Sequence, residues 1–244
     1  PQIFNDVNNQ KAEVILYRPT GESGDFEKAN FPIGVEGGKT STCPTQNLME
    51  AYDMKDGTPF VWNNQSNPYD NRDPRMKYTI VCNEMKWPVD PVEIWEGGTN
   101  GLPLQNATTT GYYLKKYVNN TISFEAGSTV TKKQHNWVLF RYGEILLNYA
   151  EAMINAFHDP NYKDAVYNMS AREAVNQIRG RTNISLPGFP SDITEKDFVK
   201  RLKNERRVEL AFEGHRFWDV RRWKELGQTA NIYGVKITKN NEVI

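Results

Sequence analysis

The sequence lacks several features that mark common classes of protein. Its 244 residues contain 30 Lys and Arg against 30 Asp and Glu, so the formal net charge is zero. Proteins that bind nucleic acid usually carry a net basic field, so the composition does not favour a nucleic-acid partner. The chain also has no run of about 18 apolar residues, and we therefore predict no helix that crosses a bilayer.

Cysteine, histidine and the short motifs of enzymes are scarce too. Cys43 and Cys82 lie far apart without a C-x-x-C motif, so they either form one disulfide or are both small buried hydrophobes. We favour the second interpretation. The three histidines are separated from one another, and the G-x-S-x-G, H-E-x-x-H and G-x-G-x-x-G motifs are absent. The residues thus indicate no catalytic site, no metal site and no cofactor.

Aromatic residues, by contrast, make up 12% of the chain, and asparagine is frequent in segments that look like loops. Aromatic faces can stack on the C–H faces of sugars while amide side chains bond the sugar hydroxyls. An aromatic core with Asn-rich turns would have the same composition, and composition alone favours that simpler interpretation.

The pattern of the chain changes near Asn136. Residues 1–136 are loop-rich, with Gly, Pro, Asn and Asp clusters between short elements, whereas residues 137–244 have a helical pattern. In the first part we predict strands at 11–18, 75–82 and 112–118, and a helix at 44–55. In the second part we predict helices at 137–157, 170–181, 194–214 and 216–225. Helix pairs with short connections are typical of tetratricopeptide-like hairpins, although no clean repeat of about 34 residues is present.

The segment from Lys196 to Glu225 is densely charged, with ten Lys or Arg and six Asp or Glu among its aromatic residues. A basic segment of this kind could bind RNA, but Glu205, Glu209 and Glu213 recur every four residues and would repel phosphate. We therefore predict an internal ion-pair clamp that supports the fold. In this clamp the carboxylates of Glu205, Glu209, Glu213 and Asp219 bind the guanidinium groups of Arg206, Arg216 and Arg221.

The stretch from Glu205 to Trp223, ERRVELAFEGHRFWDVRRW, resembles the signature helix pair of SusD/RagB-type proteins. Other segments resemble the same family in the same order, namely 44–48, 53–57, 72–75, 111–117, 141–152 and 176–181. The resemblance therefore extends over almost the whole chain. It implies a mainly α fold, in which tetratricopeptide-like helical hairpins form a scaffold and a loop-rich region with short strands shapes the ligand site.

The resemblance also implies a function. SusD-like proteins are lipid-anchored nutrient-binding proteins on the extracellular face of the outer membrane of Gram-negative bacteria, where they bind nutrients without cleaving them. They cover a SusC-like TonB-dependent transporter and deliver glycans, or peptides in some members, for import. We therefore expect this chain to capture an oligo- or polysaccharide. A peptide or another nutrient is the alternative within the family, and a glycan-processing enzyme or a ligand-free helical scaffold is the alternative from another class.

The chain differs from the family pattern in its extent. We expect it to be the C-terminal portion of a longer protein, because the amino-terminal half of the family pattern, with its signal peptide, lipid-modified cysteine and most helical repeats, is missing. Cys43 and Cys82 are interior and match no lipid-attachment context. The N-terminal lipid anchor is therefore implied by the resemblance and not present in this chain.

The family places its ligand site in variable loops, so candidate residues must come from the local sequence. Four of the aromatic residues in the loop-rich stretch between Asp56 and Asn100 stand out as candidates, because asparagines lie close to them in the sequence. The rings are Trp62, Tyr69, Trp87 and Trp95, and the amides are Asn63, Asn64, Asn67 and Asn71. Rings supply contact area at low entropy cost while amides orient hydroxyls, so we predict that these four rings contact a sugar. For Trp87 and Trp95 the alternative is structural packing around Gly97 and Gly98.

Overall fold

The structure is a computed structural model that describes residues 2–5, 13–62, 67–127 and 130–239. Its regular structure is mainly helical with a few short strands, as the sequence predicts. The helices are α1 (Gln2–Asn5), α2 (Asp25–Asn30), α3 (Gln46–Ala51), α4 (Pro74–Thr79), α5 (Tyr142–Phe157), α6 (Ala171–Arg179), α7 (Glu195–Glu209) and α8 (Arg216–Arg222). The strands are β1 (Val14–Pro19), β2 (Ile80–Val81), β3 (Tyr113–Leu114) and β4 (Asn136–Arg141). Within the described ranges no helix combines the length and the apolar character that crossing a bilayer requires.

Three helices, α5, α6 and α7, pack around one apolar core. In α5 the buried side chains recur three and four residues apart, so one face of the helix is covered by its neighbours. α6 begins at a capping box, in which Ser170 and Glu173 each accept a hydrogen bond from the other's backbone N–H. α7 begins next to residue 194, where its helix was predicted to start, and the Thr194 hydroxyl accepts a bond from the backbone N–H of Asp197. The core includes Leu147, Ala150, Ile154, Ala174, Ile178, Phe198 and Leu202.

Residues 137–141, which the sequence predicts as the start of a helix, form most of β4 instead. β4 pairs antiparallel with β1, and Arg18 lies opposite Trp137. Val138 is buried while Trp137 and Leu139 are exposed, so burial alternates as it does in a strand. The unbroken apolar run in this segment fits both periods, and its pairing with the distant β1 decides between them.

The predicted strand at 75–82 is wrong over most of its length, because α4 occupies it. Asp73 accepts a hydrogen bond from the backbone N–H of Arg75 as the N-cap, and Pro74 starts the helix. Only the last two residues before Cys82 are extended, as β2, which pairs with β3. The predicted strand at 112–118 is likewise confined to β3.

The remaining boundaries differ in smaller ways. The predicted helix at 44–55 is confirmed over α3, and α7 ends at Glu209, before the predicted stop at Gly214. α8 ends three residues before Glu225. Lys11 and Ala12, which begin the predicted first strand, lie outside the described residues.

The two parts of the chain share apolar packing through α7. One face of α7 belongs to the core with α5 and α6. Val208, near its end, packs instead with Met49, Met76 and Tyr112 of the loop-rich part. Apolar contacts therefore cross residue 136, and the division of the chain into two parts at this residue stays a prediction.

Both cysteines are free. Cys82 is buried, as predicted, whereas Cys43 is only half-buried. Burial raises the pKa of the Cys82 thiol to about 12, so this side chain is a neutral core residue at physiological pH.

Candidate functional site

The carboxylates on α7 lie in a buried lattice of ion pairs. Glu205 accepts hydrogen bonds from Arg75 Nη1 at 2.6 Å and from Arg179 Nη1 at 2.7 Å. The same Arg75 nitrogen donates to Glu209 Oε2 at 2.9 Å. One guanidinium group therefore joins two carboxylates that are one helical turn apart.

The lattice continues from Glu209 to Glu213. Glu209 also accepts from Arg141 Nη1 at 2.9 Å and from Arg181 Nη2 at 2.6 Å. Glu213 accepts from Arg141 Nε at 2.7 Å and from Lys116 Nζ at 2.6 Å. Each of these carboxylates thus bonds at least two cations, and both side chains are nearly inaccessible to solvent.

The predicted clamp has different partners from those that the sequence suggested. Arg206 Nε lies 2.9 and 2.8 Å from the two oxygens of Asp219, which is the arrangement the sequence predicts. Arg216 and Arg221 do not join the lattice, because Arg216 donates to an amide side chain and Arg221 lies over the ring of its neighbour Phe217.

Sequence reasoning missed the cations that fill these roles. They are Arg75, Lys116, Arg141, Arg179 and Arg181. They come from several separate elements, up to 134 residues from their partner, so helix spacing could not reveal them. A signal was present all the same, because every one lies in a segment that carries the family resemblance.

Ion pairing determines the protonation state of the lattice. Burial by itself would raise the pKa of Glu209, but Arg141, Arg181 and Arg75 hold that pKa well below its usual range. Glu205 and Glu213 have lowered pKa values for the same reason. A carboxylate with a lowered pKa is a weak base, and the lone pairs of these oxygens already accept bonds from cations. No cluster of three or more ligating side chains suited to a metal exists in the part of the chain that the structure describes.

A cleft of about 480 Å³ lies on the other side of α7. Its first wall is the end of α3 and the segment that leads to Phe60, and its second wall is α7, the start of α8 and Gln228. Glu205 contributes to its lining, but the carboxylate of this residue is held by Arg75 and Arg179. Apart from Glu205, none of the lattice carboxylates and cations named above lines the cleft.

One predicted ring stands beside this cleft. Phe60 lines the cleft, and Trp62 meets the Phe60 ring edge-to-face, with 6.1 Å between centroids. Trp62 is 45% exposed, so part of its surface is available to a ligand. Arg72 lies over the Phe60 ring, 3.7 Å from its centroid, which fixes the position of that ring. Asn63 and Asn64, the amides predicted beside Trp62, lie outside the described residues.

The other three predicted rings do not line the cleft. Tyr69 is half-buried against Tyr112, and burial raises its pKa to about 12. Trp87 is only 7% exposed and packs in a core cluster with Val92 and Tyr113, so it offers little surface for the predicted contact with a sugar. Trp95 is half-buried, with Lys239 over its ring at 4.5 Å. None of the four predicted rings lines the cleft itself, and Trp62 is connected to it through Phe60.

The cleft is strongly charged. Asp53 lies in it, and burial raises the pKa of that carboxyl although Arg179 and Arg201 oppose the shift. Arg207 and Arg216 also line it, and burial lowers the pKa of both guanidinium groups, that of Arg207 to about 10. The site can therefore offer a ligand an aromatic surface and positively charged donors.

Comparisons with known proteins place these features in context. The chain is similar to a solved SusD-like protein from Bacteroides fragilis NCTC 9343, at 26% identity and a TM-score of 0.77, over 98% of this chain and 49% of that one. A solved SusD-like carbohydrate binding protein from the same organism matches at 25% identity and a TM-score of 0.78, over 96% of this chain and 46% of that one. SusD-like protein P38 from Formosa agariphila is 37% identical over 91 residues, which are 35% of this chain and 16% of that protein.

The chain spans about half the length of the solved structures it matches. The structural likeness confirms the predicted fold class, tetratricopeptide-like helical hairpins with a loop-rich region. A sequence model described as the SusD family matches residues 3–242. Because that match covers nearly all of the sequence, the chain belongs to the SusD family.

Proposed function

We propose that this protein captures glycans at the extracellular face of the outer membrane and passes them to a SusC-like TonB-dependent transporter. The observation that carries the proposal is the likeness to the SusD-like carbohydrate binding protein, at a TM-score of 0.78 and 25% identity. The proposal includes an N-terminal lipid anchor, as the family resemblance implies. The transporter would enclose the captured glycan and complete its import.

The cleft beside α7 is the proposed place of capture. Phe60 and Trp62 offer ring faces for the C–H surfaces of a sugar, and amide and guanidinium groups nearby can bond its hydroxyls. Single sugar contacts are weak, so a polymer would be held by repeated contacts along its length. Tyr69 and Trp95 remain candidates for additional contacts outside the cleft.

The protein is proposed to bind and not to cleave. Glycoside hydrolysis needs two carboxyl groups facing each other across the scissile bond. The carboxylates of Glu205, Glu209 and Glu213 are each bonded to two or more cations. Pure protein incubated with a polysaccharide should release no reducing ends, and release that disappears in an Asp53→Asn variant would support the enzyme alternative instead.

Affinity electrophoresis through gels that contain individual polysaccharides tests the proposed site. The wild-type protein should be retarded by at least one polysaccharide, and Trp62→Ala should lose most of that retardation because it removes the exposed ring. Trp218→Ala is the matched control, since Trp218 is 67% exposed and its ring meets Phe217, which does not line the cleft. Tyr69→Ala and Trp95→Ala measure the two remaining candidates.

The outcomes separate the alternatives. Unchanged retardation of Trp62→Ala removes the cleft as the capture site, whereas absence of retardation by every polysaccharide removes glycan capture itself. Binding of a peptide library in place of polysaccharides would favour the alternative nutrient. Co-purification of the full-length protein with a TonB-dependent transporter tests the proposed partner.

A further inference from the structure

We propose that the glycan held in the cleft is acidic, and that Arg207 and Arg216 bind its carboxylate or sulfate group. This inference rests on the proposed function, because it names the class of glycan for the same site. Its starting observation is an imbalance of charge. The whole chain is neutral, yet the cleft gathers Lys196, Lys200, Arg201, Lys203, Arg207 and Arg216.

Part of this positive charge is already neutralised. Lys203 Nζ lies 2.5 Å from Glu225, and Arg201 Nη2 lies 3.5 Å from Asp53. The carboxylate of Glu205 is satisfied by the lattice and contributes no free negative charge to the cleft.

Four cations of the cleft have no such partner. Lys196, Lys200, Arg207 and Arg216 have no carboxylate within 4 Å among the residues that the structure describes. Against them stands Glu50, whose Oε1 accepts a hydrogen bond from Gln46 Nε2 at 2.9 Å. The field inside the cleft is therefore positive.

The two arginines differ from ordinary surface cations because they are partly desolvated and close to each other. Burial and the nearby charge of Arg216 lower the pKa of Arg207 to about 10. Burial also lowers the pKa of Arg216, against the opposing effects of Asp219 and Glu225. Two like charges in a half-buried site repel each other, and an anion bound between them would lower the free-energy cost of that repulsion.

Their bonding leaves donors for such an anion. Arg207 Nη2 donates to the carbonyl of Asn47 at 2.8 Å, and Arg216 Nη2 donates to Gln228 Oε1 at 2.8 Å. Both bonds are made by one terminal nitrogen to a neutral oxygen, so in the described part of the chain the other N–H groups of both forks are free to bond a ligand. A guanidinium fork matches the two oxygens of a carboxylate or sulfate, which a lysine ammonium does not.

The arrangement also explains why a sugar, and not a bare ion, is the expected ligand. Phe60 lines the same cleft and Trp62 stands against it, so a ring surface and a cationic pair share one site. A uronic acid or a sulfated sugar has both matching parts, a C–H face and an anionic group. The proposed ligand therefore uses both kinds of surface at once.

A glycan array that carries neutral, uronate-containing and sulfated glycans tests the inference with the intact protein. We expect binding to acidic glycans over neutral glycans of similar length, and the two acidic groups of the array distinguish carboxylate from sulfate. For the glycans that bind, isothermal titration should show affinity falling about tenfold or more in Arg207→Gln and in Arg216→Gln, and falling as salt is raised. Arg216→Lys should recover only part of the loss, since it restores charge but not the fork.

Arg18→Gln is the matched control, because Arg18 is exposed on β1 and does not line the cleft. The melting temperatures of all variants should stay within about 3 °C of wild type, which excludes misfolding as the cause. Binding of neutral glycans alone overturns the inference and leaves the proposed function intact. An equal loss of affinity in Arg18→Gln also overturns the inference, because the acidic glycan would then be attracted by the positive charges of the whole surface. Binding of no glycan at all overturns both the inference and the proposed function.

Discussion

Glu209 has three guanidinium groups around one nearly inaccessible carboxylate. Arg75, Arg141 and Arg181 donate to it from α4, from β4 and from the residues just after α6. If its charge is removed, three cations remain close together in a low-dielectric site, and the other carboxylates of the lattice offset their repulsion and desolvation only in part. Charge balance at this residue therefore holds several elements in place.

The substitution Glu209→Gln keeps the size of the side chain and removes its charge. We expect the free energy of unfolding to fall by about 3–5 kcal/mol, measured by urea denaturation. Glu195→Gln is the control on the same helix, because Glu195 forms an exposed pair with His158 and should change stability by less than about 1 kcal/mol. Similar losses in both variants would contradict a special role for the lattice.

The same carboxylates should make stability depend on pH. Burial alone would raise their pKa values, but the surrounding cations hold the folded-state pKa values of Glu205, Glu209 and Glu213 below the ordinary 4.5. In acid the unfolded chain then binds more protons than the folded chain. The stabilisation is present above the unfolded pKa and is lost as the pH falls through the folded values.

Urea midpoints between pH 3 and pH 7 measure this effect, and the lattice should contribute a decrease that begins below about pH 4.5. In Glu209→Gln the decrease should be shallower, because one titrating group is gone. A wild-type midpoint that is equally high at pH 3 and pH 7 would show that the lattice does not control acid stability.

For the ion pairs of the three glutamates, the sequence predicted the carboxylates but not their partners. The spacing of Glu205, Glu209 and Glu213 indicated ion pairing, because helix geometry places residues four apart on one face. Their partners depend on which distant elements pack against that face, and local periodicity carries no such information. The sequence does not reveal the cleft for the same reason, because Phe60 and Arg207, which both line it, come from distant parts of the chain.

Among the elements, α6 has the clearest local origin. Ser170 is buried, and its hydroxyl accepts from the Glu173 N–H at 3.1 Å while Glu173 Oε2 accepts from the Ser170 N–H at 2.8 Å. These reciprocal bonds satisfy two donors that a helix start leaves without partners. The helix then presents its apolar face to α5 and α7.

Ser170→Ala removes half of this capping box. We expect a loss of about 1 kcal/mol in the free energy of unfolding, seen as a lower urea midpoint with an unchanged slope. Ser191→Ala is the control, because Ser191 is exposed and does not cap a helix. A loss no greater than that of the control would show that Glu173 and solvent replace the hydroxyl.

Elements with a local cause were predicted well, and elements fixed by distant pairing were not. α5, α6 and α7 follow from apolar residues at helical spacing and from capping side chains, which the sequence displays. β4 exists because it pairs with β1, whereas α4 is an exception, a helix with a local cap at Asp73 that was missed because its segment is rich in β-forming residues. In both segments the pattern of side chains was compatible with a strand as well as with a helix.

For the whole molecule, the position of α7 is decisive. It supplies Phe198 and Leu202 to the core with α5 and α6, and Val208 to a cluster of the loop-rich part. Its carboxylates bond Arg75 from before residue 136 and Arg179 from after it. The loop-rich region and the helical region should therefore fold as one unit, even though their sequences look different.

Separate expression of residues 1–136 and residues 137–244 tests this expectation. In the helical fragment Glu205 and Glu209 would lose Arg75, and Val208 would lose the apolar side chains that cover it, so buried charge and apolar surface would both be exposed. We expect neither fragment to unfold with a sharp transition in calorimetry, whereas the intact chain should show one. A cooperative transition in residues 137–244 alone would show that the change of sequence pattern near Asn136 separates two independent domains. Recovery of the transition on mixing the fragments would show that contacts between the two parts, those of α7 among them, complete the fold.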